Sequence, residues 1–485
     1  MPSLASSFHS LHSFTMNEGY KLLPFRFHQF DTRRSVLTNL AGEHAIVLTE
    51  KLPALIEGKL PNTDLLLDEL ESKHMICRGA LDAHCELLAA QIRTRQSLLP
   101  DMAALHIFVV TLRCDQACRY CQVSRVSEDK FAYDMTEEAA DRGVDLMLAS
   151  PAQRLKVEFQ GGESLLNFPL IRRIIERCAS MAGAREISYV VATNLAVVAD
   201  DMLAFFRQHE VYISTSLDGP AALHNHNRPR LGQDAHARTI DGIRRCRESL
   251  GKESVSALMT CSQESLGQPE AIIDEYVRHG FTEIFLREVS PYGYAAKPNN
   301  SVTYATSQYL EFYERGLSYI LKLNRLGVRF REVYASILLT RMLTSTPTGY
   351  VDLQSPAGAG FGALVYNYDG KVYASDEGRM LAEMGDHGFC LGNLSTDTWD
   401  SIYLNSPILD IAYRTMTEGL PGCCDCAYQP WCGSDPVRHH ATQGDVMGHR
   451  PTSAFCQRNK GIFHLLLEIL ESGSDDAKTL RSWAR

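Results

Sequence analysis

Three features that would place this chain in a special class are missing. It has no apolar run near the roughly 20 residues needed to cross a bilayer. Its first residues, MPSLASSFHSLHSF, lack the basic segment and the long apolar segment of a signal peptide. Positive charge is scarce, with 48 Lys and Arg against 58 Asp and Glu, which disfavours a nucleic-acid partner. We therefore expect a cytoplasmic protein without membrane contact.

The composition is that of a folded globular protein. Apolar residues make up 45% and charged residues 22%, which excludes a mainly disordered, collagen-like or coiled-coil chain. Cysteine is abundant, with 14 residues, of which eight fall into two short groups. In a reducing compartment, clustered thiols are more often metal ligands than disulfide partners.

The length of 485 residues predicts two to four domains, and the sequence pattern divides the chain into three parts. Residues 1–100 read as an N-terminal unit plus linker, in which strands precede helices. This unit is either a winged-helix-like peptide binder or a capping subdomain, preceded by a disordered leader over residues 1–17. Residues 101–300 alternate strands and helices, and residues 301–485 are a Cys-rich extension that ends in a helix.

Six strand candidates alternate with helical stretches in the middle part: Leu105–Leu112, Leu155–Phe159, Ile187–Ala192, Val211–Leu217, Val255–Thr260 and Glu283–Leu286. This alternation predicts an α/β domain with a parallel sheet. In barrels of this kind the chemistry lies at the C-terminal ends of the strands. Unusual residues do follow the strands: Cys114, then Gly161, Gly162 and Glu163, then Asn194, then Ser216 and Asp218, and finally Arg287.

The first cysteine group has the spacing of an incompletely ligated cluster. Cys114, Cys118 and Cys121 give three thiolates within eight residues, directly after a strand. Three thiolates hold three irons of a [4Fe–4S] cubane and leave the fourth iron open, whereas a structural zinc site requires four ligands. Tyr120 stands where its ring can shield the cluster.

The motif Cys114-Asp-Gln-Ala-Cys118-Arg-Tyr-Cys121 resembles the radical S-adenosylmethionine (SAM) signature, and Gly161-Gly162-Glu163 resembles the amino-group-binding motif of the same superfamily. The resemblance implies a partial (β/α)6 barrel in which the open iron is chelated by SAM. Cleavage of SAM then yields a 5′-deoxyadenosyl radical that takes a hydrogen atom from the substrate.

The same resemblance suggests which residues contact SAM. The carbonyls of Gly161 and Gly162 and the carboxylate of Glu163 are acceptors suited to the SAM ammonium. Asn194, Ser216 and Arg228 are candidates for contacts to the ribose or carboxylate. Asn194 and Ser216 are equally compatible with turn positions, and Arg228 with a surface salt bridge.

The second cysteine group offers a closed set of ligands. Cys423, Cys426, Cys432 and Cys456 supply four thiolates, which suits an auxiliary cluster or, alternatively, zinc. The group resembles the SPASM extension of peptide-modifying radical SAM enzymes, which usually carries two auxiliary clusters. The positions expected to be cysteines of the first auxiliary cluster are Ser375, Pro436 and the region of Ser355 and Ala357. We therefore expect two [4Fe–4S] clusters in total, with Cys424 a bystander and Cys390 unassigned.

Two acidic residues lie where the lost cluster would be. Asp376 and Glu377 are candidate catalytic groups that accept a proton when substrate is oxidised. The alternative is a solvated loop.

Three stretches, residues 22–27, 376–380 and 432–436, resemble the maturase of the His-Xaa-Ser peptide system. This implies a ribosomally made precursor peptide as substrate, cross-linked from a ring carbon to a β-carbon in a cyclophane. The implied partners are the peptide, a flavodoxin- or ferredoxin-type electron donor and a second maturase. The competing interpretations are a sulfatase-type maturase that oxidises Ser or Cys, a radical SAM RNA-modifying enzyme and, outside enzymes, a zinc-scaffold protein.

Overall fold

The computed structural model describes residues 19–79, 81–122, 129–296 and 302–484. The leader predicted for residues 1–17 lies outside these residues. Within the described part of the chain, no helix has both the length and the apolar character required to cross a bilayer.

The N-terminal unit is a three-stranded antiparallel sheet with two short helices and an apolar core of its own. The sheet order is β2-β3-β4, which leaves β2 at an edge. The elements are β1 (Lys21–Leu22), β2 (Phe25–Gln29), β3 (Arg34–Asn39), β4 (His44–Leu48), α1 (Leu52–Ile56), α2 (Leu65–Ser72), β5 (Ile76–Cys77) and the linker helix α3 (Leu81–Arg95).

The middle part forms the expected partial barrel. Strands β6, β7, β8, β9, β10 and β12 lie side by side and pair in parallel, with helices in the connections. The elements are β6 (Leu105–Thr111), α4 (Lys130–Tyr133), α5 (Glu137–Leu148), β7 (Arg154–Gly161), α6 (Phe168–Met181), β8 (Glu186–Thr193), α7 (Asp200–Gln208), β9 (Tyr212–Ser216), α8 (Ala221–Asn227), α9 (Ala235–Leu250), β10 (Val255–Cys261), α10 (Pro269–Arg278), β11 (Glu283–Ile284) and β12 (Leu286–Glu288).

The sixth predicted strand is two strands in the structure. Glu283–Ile284 pairs with residues 331–332 in a separate small sheet, whereas Leu286–Glu288 pairs with β10 and completes the barrel. The single apolar run gave no sign of this division, because each piece is only two or three residues long. Arg287 therefore lies in the middle of the sixth barrel strand and not at its end.

The C-terminal part extends the barrel sheet. Strand β14 pairs in parallel with β6, and β15 and β16 follow as antiparallel strands. The elements are α11 (Thr306–Arg325), β13 (Arg331–Glu332), α12 (Val333–Leu343), β14 (Ala363–Tyr366), β15 (Lys371–Tyr373), α13 (Asp376–Ala382), β16 (Cys390–Asn393), α14 (Trp399–Leu404), α15 (Ile408–Thr415), α16 (Pro436–Gln443), α17 (Ala454–Glu471) and α18 (Asp475–Trp483).

One continuous apolar core joins the barrel to the C-terminal part. Phe108 and Phe159 of the barrel strands belong to the same cluster as Leu364 of β14 and Ile462 of α17. The N-terminal unit docks onto the second cysteine group through polar contacts: Arg26 donates to the Cys424 carbonyl at 2.5 Å, and Trp431 Nε1 donates to the Gly42 carbonyl at 2.8 Å.

Candidate active site

The first cysteine group lies on the loop that leaves the C-terminal end of β6. A second segment, which follows α8, holds this loop in place. The amide of Ala117 donates to the Pro229 carbonyl at 2.7 Å, and the amide of Arg119 donates to the Asn227 carbonyl at 2.9 Å. All three cysteine side chains border a cavity of about 250 Å³ at this end of the barrel. Burial raises the pKa of the Cys118 thiol to about 12.

The two glycines after β7 are required by a close approach of backbone to backbone. A Cβ on Gly161 would lie 2.4 Å from the Thr111 carbonyl oxygen, and one on Gly162 would lie 2.4 Å from that of Arg113. No side chain fits at such distances, so β7 packs tightly against the start of the cysteine loop. Both glycines line the cavity.

Glu163 is turned inward, and its carboxylate ties the end of β7 to the end of β8. Its carboxylate accepts hydrogen bonds from Thr193 Oγ1 at 2.6 Å, from the Asn194 amide at 2.7 Å and from the Leu165 amide at 3.0 Å. The residue is 1% exposed, and burial raises its pKa to about 7 against the effect of these donors. Gly161 and Gly162 face the cavity, but the carboxylate of Glu163 does not line it.

Asn194 connects the end of β8 to the cysteine loop. Its Nδ2 donates to Asp115 Oδ1 at 2.8 Å, and Arg230 Nε donates to the other oxygen of Asp115 at 2.9 Å. Asp115, which lies between the first two cysteines, is a positioning residue that the sequence analysis missed. Ser216, at the end of β9, borders the same cavity.

Arg228 is part of a buried group and not of a surface salt bridge. Its Nε lies 3.0 Å from Asp218 Oδ2, and Tyr120 donates its hydroxyl proton to the same oxygen at 2.5 Å. The guanidinium stacks 5.3 Å from the Tyr120 ring centre and places Nη1 3.9 Å from Cys118 Sγ. Burial alone would lower the pKa of the Arg228 guanidinium. The negative charge of Asp218 opposes burial, and the net result is a pKa well above its ordinary value.

The second cysteine group also comes together. Burial raises the pKa of Cys423 to about 12, and the nearby thiols of Cys426, Cys432 and Cys456 add to the shift. Cys456 lies in the first turn of α17, and Asn459 of the same helix donates to Cys432 Sγ at 3.5 Å. The Cys390 thiol instead donates to the Gly392 carbonyl at 3.7 Å.

The positions that lack expected cysteines have structural roles. Ser375 caps α13 by accepting from the Gly378 amide, and Pro436 is the first residue of α16. Ser355 donates its hydroxyl to Glu418.

Asp376 and Glu377 open helix α13, so the solvated-loop alternative is wrong for them. Asp376 accepts from the buried Arg379 at 2.8 Å and borders the main cavity together with Arg287. Glu377 borders a second cavity. Burial and the neighbouring Asp352 and Asp376 raise its pKa to about 7 against the opposing charge of Arg287.

Comparison with protein families agrees with this geometry. Residues 108–276 match the model of the radical SAM superfamily. The chain contains a radical SAM domain. The matched residues run from β6 to α10 and therefore include all three cysteines of the first group.

Two curated relatives match part of the chain. An uncharacterized protein of Synechocystis is 27% identical over 231 residues, which are 47% of this chain and 56% of the relative. A serine-type anaerobic sulfatase-maturating enzyme of Bacteroides thetaiotaomicron is 24% identical over 136 residues, which are 27% of this chain and 33% of that enzyme. The chain thus spans about half or less of the length of these relatives.

Two solved structures share the fold. The protein anSMEcpe with bound AdoMet superposes with a TM-score of 0.65 at 16% identity, over 78% of this chain and 98% of its own. Streptococcus suis SuiB bound to precursor peptide SuiA superposes with a TM-score of 0.54 at 13% identity, over 90% of this chain and 100% of its own.

Proposed function

We propose that this chain is a radical SAM maturase that modifies side-chain carbons of a ribosomally made precursor peptide. The observation that carries the proposal is the meeting of Cys114, Cys118 and Cys121 with the Gly161–Gly162 turn and Arg228 around one cavity. The cavity lies at the C-terminal ends of parallel strands, where barrels of this kind place their chemistry.

The donor set fits an iron–sulfur core better than a single metal ion. Among the described residues, the only three His, Cys, Asp or Glu ligand atoms within 4.8 Å of one another belong to His236, Glu275 and His279. Both cysteine groups are therefore spread more widely than the roughly 3.8 Å that separates sulfurs on a tetrahedral zinc ion with bonds of about 2.3 Å. A wider spacing leaves room for a cluster between the sulfurs.

Cys114, Cys118 and Cys121 would hold the first cluster, and Cys423, Cys426, Cys432 and Cys456 the second. When bound, the first cluster and SAM supply an electron and a 5′-deoxyadenosyl radical for removal of a hydrogen atom from the peptide. A flavodoxin- or ferredoxin-type protein would deliver that electron, and the second cluster is the proposed acceptor of an electron from the oxidised peptide.

The protein's own groups prepare this site electrostatically. Arg228 supplies a fixed positive charge beside Cys118. The buried carboxylate of Asp218, which is not hydrated by bulk water, holds that charge in place. The Gly161–Gly162 turn borders the cavity and is the proposed acceptor for the SAM ammonium. The carboxylate of Glu163 accepts three hydrogen bonds inside the protein, so we assign it a positioning role.

The N-terminal unit is the proposed site for the precursor's leader. Strand β2 is an edge of its sheet, and Phe27 on this strand is 50% exposed. An extended peptide would add a fourth strand at this edge. The structural neighbour SuiB is bound to a precursor peptide, which supports a substrate of this class.

The proposed product is a cyclophane cross-link between a ring carbon and a β-carbon, which removes two hydrogens from the peptide. The second candidate is oxidation of Ser to an aldehyde, favoured by the match to a sulfatase-maturating enzyme. Both reactions remove two hydrogens from the precursor peptide, so the mass change alone does not distinguish them. Only an aldehyde reacts with a hydrazide. Mass spectrometry with hydrazide labelling of the co-expressed precursor therefore separates them.

The test of the radical chemistry is anaerobic purification followed by iron, sulfide and 5′-deoxyadenosine analysis. We expect about eight irons per chain and deoxyadenosine that disappears when Cys114, Cys118 and Cys121 are all replaced by Ala. Colourless protein that contains zinc, or deoxyadenosine formation that survives in the triple variant, contradicts the proposal.

A further inference from the structure

A second, smaller cavity of about 40 Å³ adjoins the candidate active site. Asp352, Glu377 and Asp435 border it, each from a different segment of the C-terminal part. Arg287 borders both cavities, while the adjacent residues Asp376 and Glu377 border one each. The two cavities therefore share Arg287 in their walls and meet at the start of α13.

Two arginines at this cavity are already bound to another carboxylate. Arg438 Nη1 lies 2.8 Å and Arg458 Nη1 3.2 Å from Glu288 Oε2. Arg287 is the cation beside Glu377, with 3.9 Å between Nη2 and Oε1. Three half-buried carboxylates therefore border one small cavity. Arg438 and Arg458 already pair with Glu288, so the three carboxylates compete for protons. The charged and titratable groups bordering this space are Arg287, Glu288, Tyr292, Tyr309, Tyr334, Tyr350, Asp352, Glu377, Asp435, Arg438 and Arg458, and Asp376 acts on Glu377 from the wall of the main cavity.

A hydroxyl in the cavity wall that has no hydrogen-bond partner indicates that the cavity holds water. Tyr292 is 1% exposed, and its OH has no hydrogen-bond partner among the described residues. Arg438 Nε in the same wall has none either. Buried polar groups without a protein partner are normally satisfied by water, and a volume of about 40 Å³ holds about three or four molecules at roughly 10–15 Å³ each.

We propose that Glu377, sharing protons with Asp352, Asp435 and the cavity water, accepts the proton that leaves the peptide during its oxidation. This inference rests on the proposed function, because only a reaction that removes two hydrogens releases such a proton. One hydrogen leaves as an atom to form 5′-deoxyadenosine. The other leaves as a proton to Glu377 and an electron to an iron–sulfur acceptor, while a new carbon–carbon bond replaces the two carbon–hydrogen bonds.

The pKa of Glu377 suits its proposed role as a proton acceptor. Burial, then Asp352 and Asp376, raise the pKa of Glu377 to about 7, and burial with Asp435 raises that of Asp352 to about 6. A base is most effective when its pKa lies near the working pH. Glu377 is thus deprotonated often enough to accept a proton and basic enough to hold it.

The test compares Glu377→Gln with Glu383→Gln. Glu383 is a matched control because it caps the other end of α13, and burial also raises its pKa, but it lies outside the cavity. With cluster-loaded protein and precursor peptide, we expect Glu377→Gln to form deoxyadenosine within about twofold of wild type. Modified peptide per deoxyadenosine should fall about 100-fold or more, since a positioned general base contributes roughly 10²–10⁴-fold. Glu383→Gln should keep the wild-type ratio.

A second variant gives a readout that a purely structural role would not move. Asp352→Asn removes a neighbouring negative charge, so the pKa of Glu377 falls and product yield should reach half its maximum at a lower pH than in wild type. Unchanged product ratios in Glu377→Gln, or an unmoved pH midpoint in Asp352→Asn, overturn the inference.

An infrared measurement separates this inference from the proposed function. Wild type should show C=O stretches of protonated carboxyls that titrate near neutral pH, that of Glu163 among them. One such band should be lost in Glu377→Gln and kept in Glu383→Gln. If this band is unaffected by Glu377→Gln, the carboxylate cluster is wrong whatever the enzyme does. If the band behaves as expected but wild type forms no deoxyadenosine, the proposed function fails instead.

Discussion

The guanidinium of Arg228 pairs with the buried carboxylate of Asp218 and reaches to within 3.9 Å of Cys118 Sγ with Nη1. The Asp218 side chain is 0% exposed and that of Arg228 10% exposed, so neither charge is solvated by bulk water. Removing one member of a buried ion pair is costly, because the other charge is then buried without a partner.

Asp218→Asn should therefore destabilise the protein by about 3–5 kcal/mol, visible as a lower thermal unfolding temperature. Arg244→Gln is the control, since Arg244 pairs with Asp241 and Glu248 on an exposed helix face. Its loss should cost at most about 1 kcal/mol. Equal losses in the two variants would show that the Arg228 pair is not buried as described.

Gly162→Ala should disturb the start of the cysteine loop. The new Cβ would lie 2.4 Å from the Arg113 oxygen and 2.6 Å from that of Leu112, and neither backbone atom is free to move far. Overpacking of this kind costs about 1–3 kcal/mol or more. Gly267→Ala is the control, because nothing lies within 4 Å of its Cβ position. Thermal unfolding and calorimetric SAM binding should both be impaired in Gly162→Ala alone.

Glu163 should make stability depend on pH. Its pKa in the folded protein is about 7, above its ordinary value of 4.5, so the folded state holds a proton that the unfolded chain releases. The contribution of Glu163 to the free energy of unfolding is then fully present below about pH 4.5 and is lost as the pH rises through about 7, by at most about 3.4 kcal/mol. Thermal unfolding of Glu163→Gln should show a smaller decline over this window, and an equally steep decline would contradict the assignment.

Phe27→Asp should weaken binding of the precursor at the β2 edge. The charge removes an exposed apolar contact and disfavours an added strand, so we expect affinity to fall at least about tenfold, or roughly 1.4 kcal/mol. Fluorescence anisotropy of labelled precursor measures the change. Tyr413→Asp is the control, since Tyr413 is 81% exposed and belongs to α15, outside the N-terminal unit. Full binding by Phe27→Asp would place the leader elsewhere.

Cys426→Ala should remove the second cluster and leave the first. Iron should fall from about eight to about four per chain, with deoxyadenosine still formed and peptide product lost. Cys424→Ala should leave iron unchanged, because Cys424 contributes its backbone carbonyl to Arg26 and its thiol is not needed for a four-cysteine site. Loss of iron from Cys424→Ala would change the ligand assignment.

Local patterns were sufficient to predict the barrel. Strands β6 to β10 have the expected positions to within two residues. β6 is an almost continuous buried run, and β7, β8 and β9 place buried residues at alternate positions, so each shows a local pattern typical of a strand. The buried face of α6, including Ile171, Ile174 and Cys178, also follows its helical spacing. Polar residues were correctly expected at the strand ends, because topology brings those ends together.

Features that depend on pairing between segments far apart in the chain could not be predicted from local sequence patterns. Strands β14 to β16 are three or four residues long, and β14 joins the sheet by pairing with β6, which precedes it by more than 250 residues. β15 and β16 then pair in turn onto β14. The last helix, α18, packs on α12 and α17. The carboxylate cavity combines Asp352, Glu377 and Asp435 from segments without any shared motif.

The parallel pairing of β14 with β6 has a consequence for dissecting the protein. Without residues beyond 300, β6 would be left with a bare row of amides and carbonyls along its outer side, next to the loop that carries Cys114. An unprotected strand of that kind invites intermolecular association. The catalytic half is therefore not a separable module: a fragment cut before β14 should aggregate, and only chains that retain the later strands should remain monodisperse.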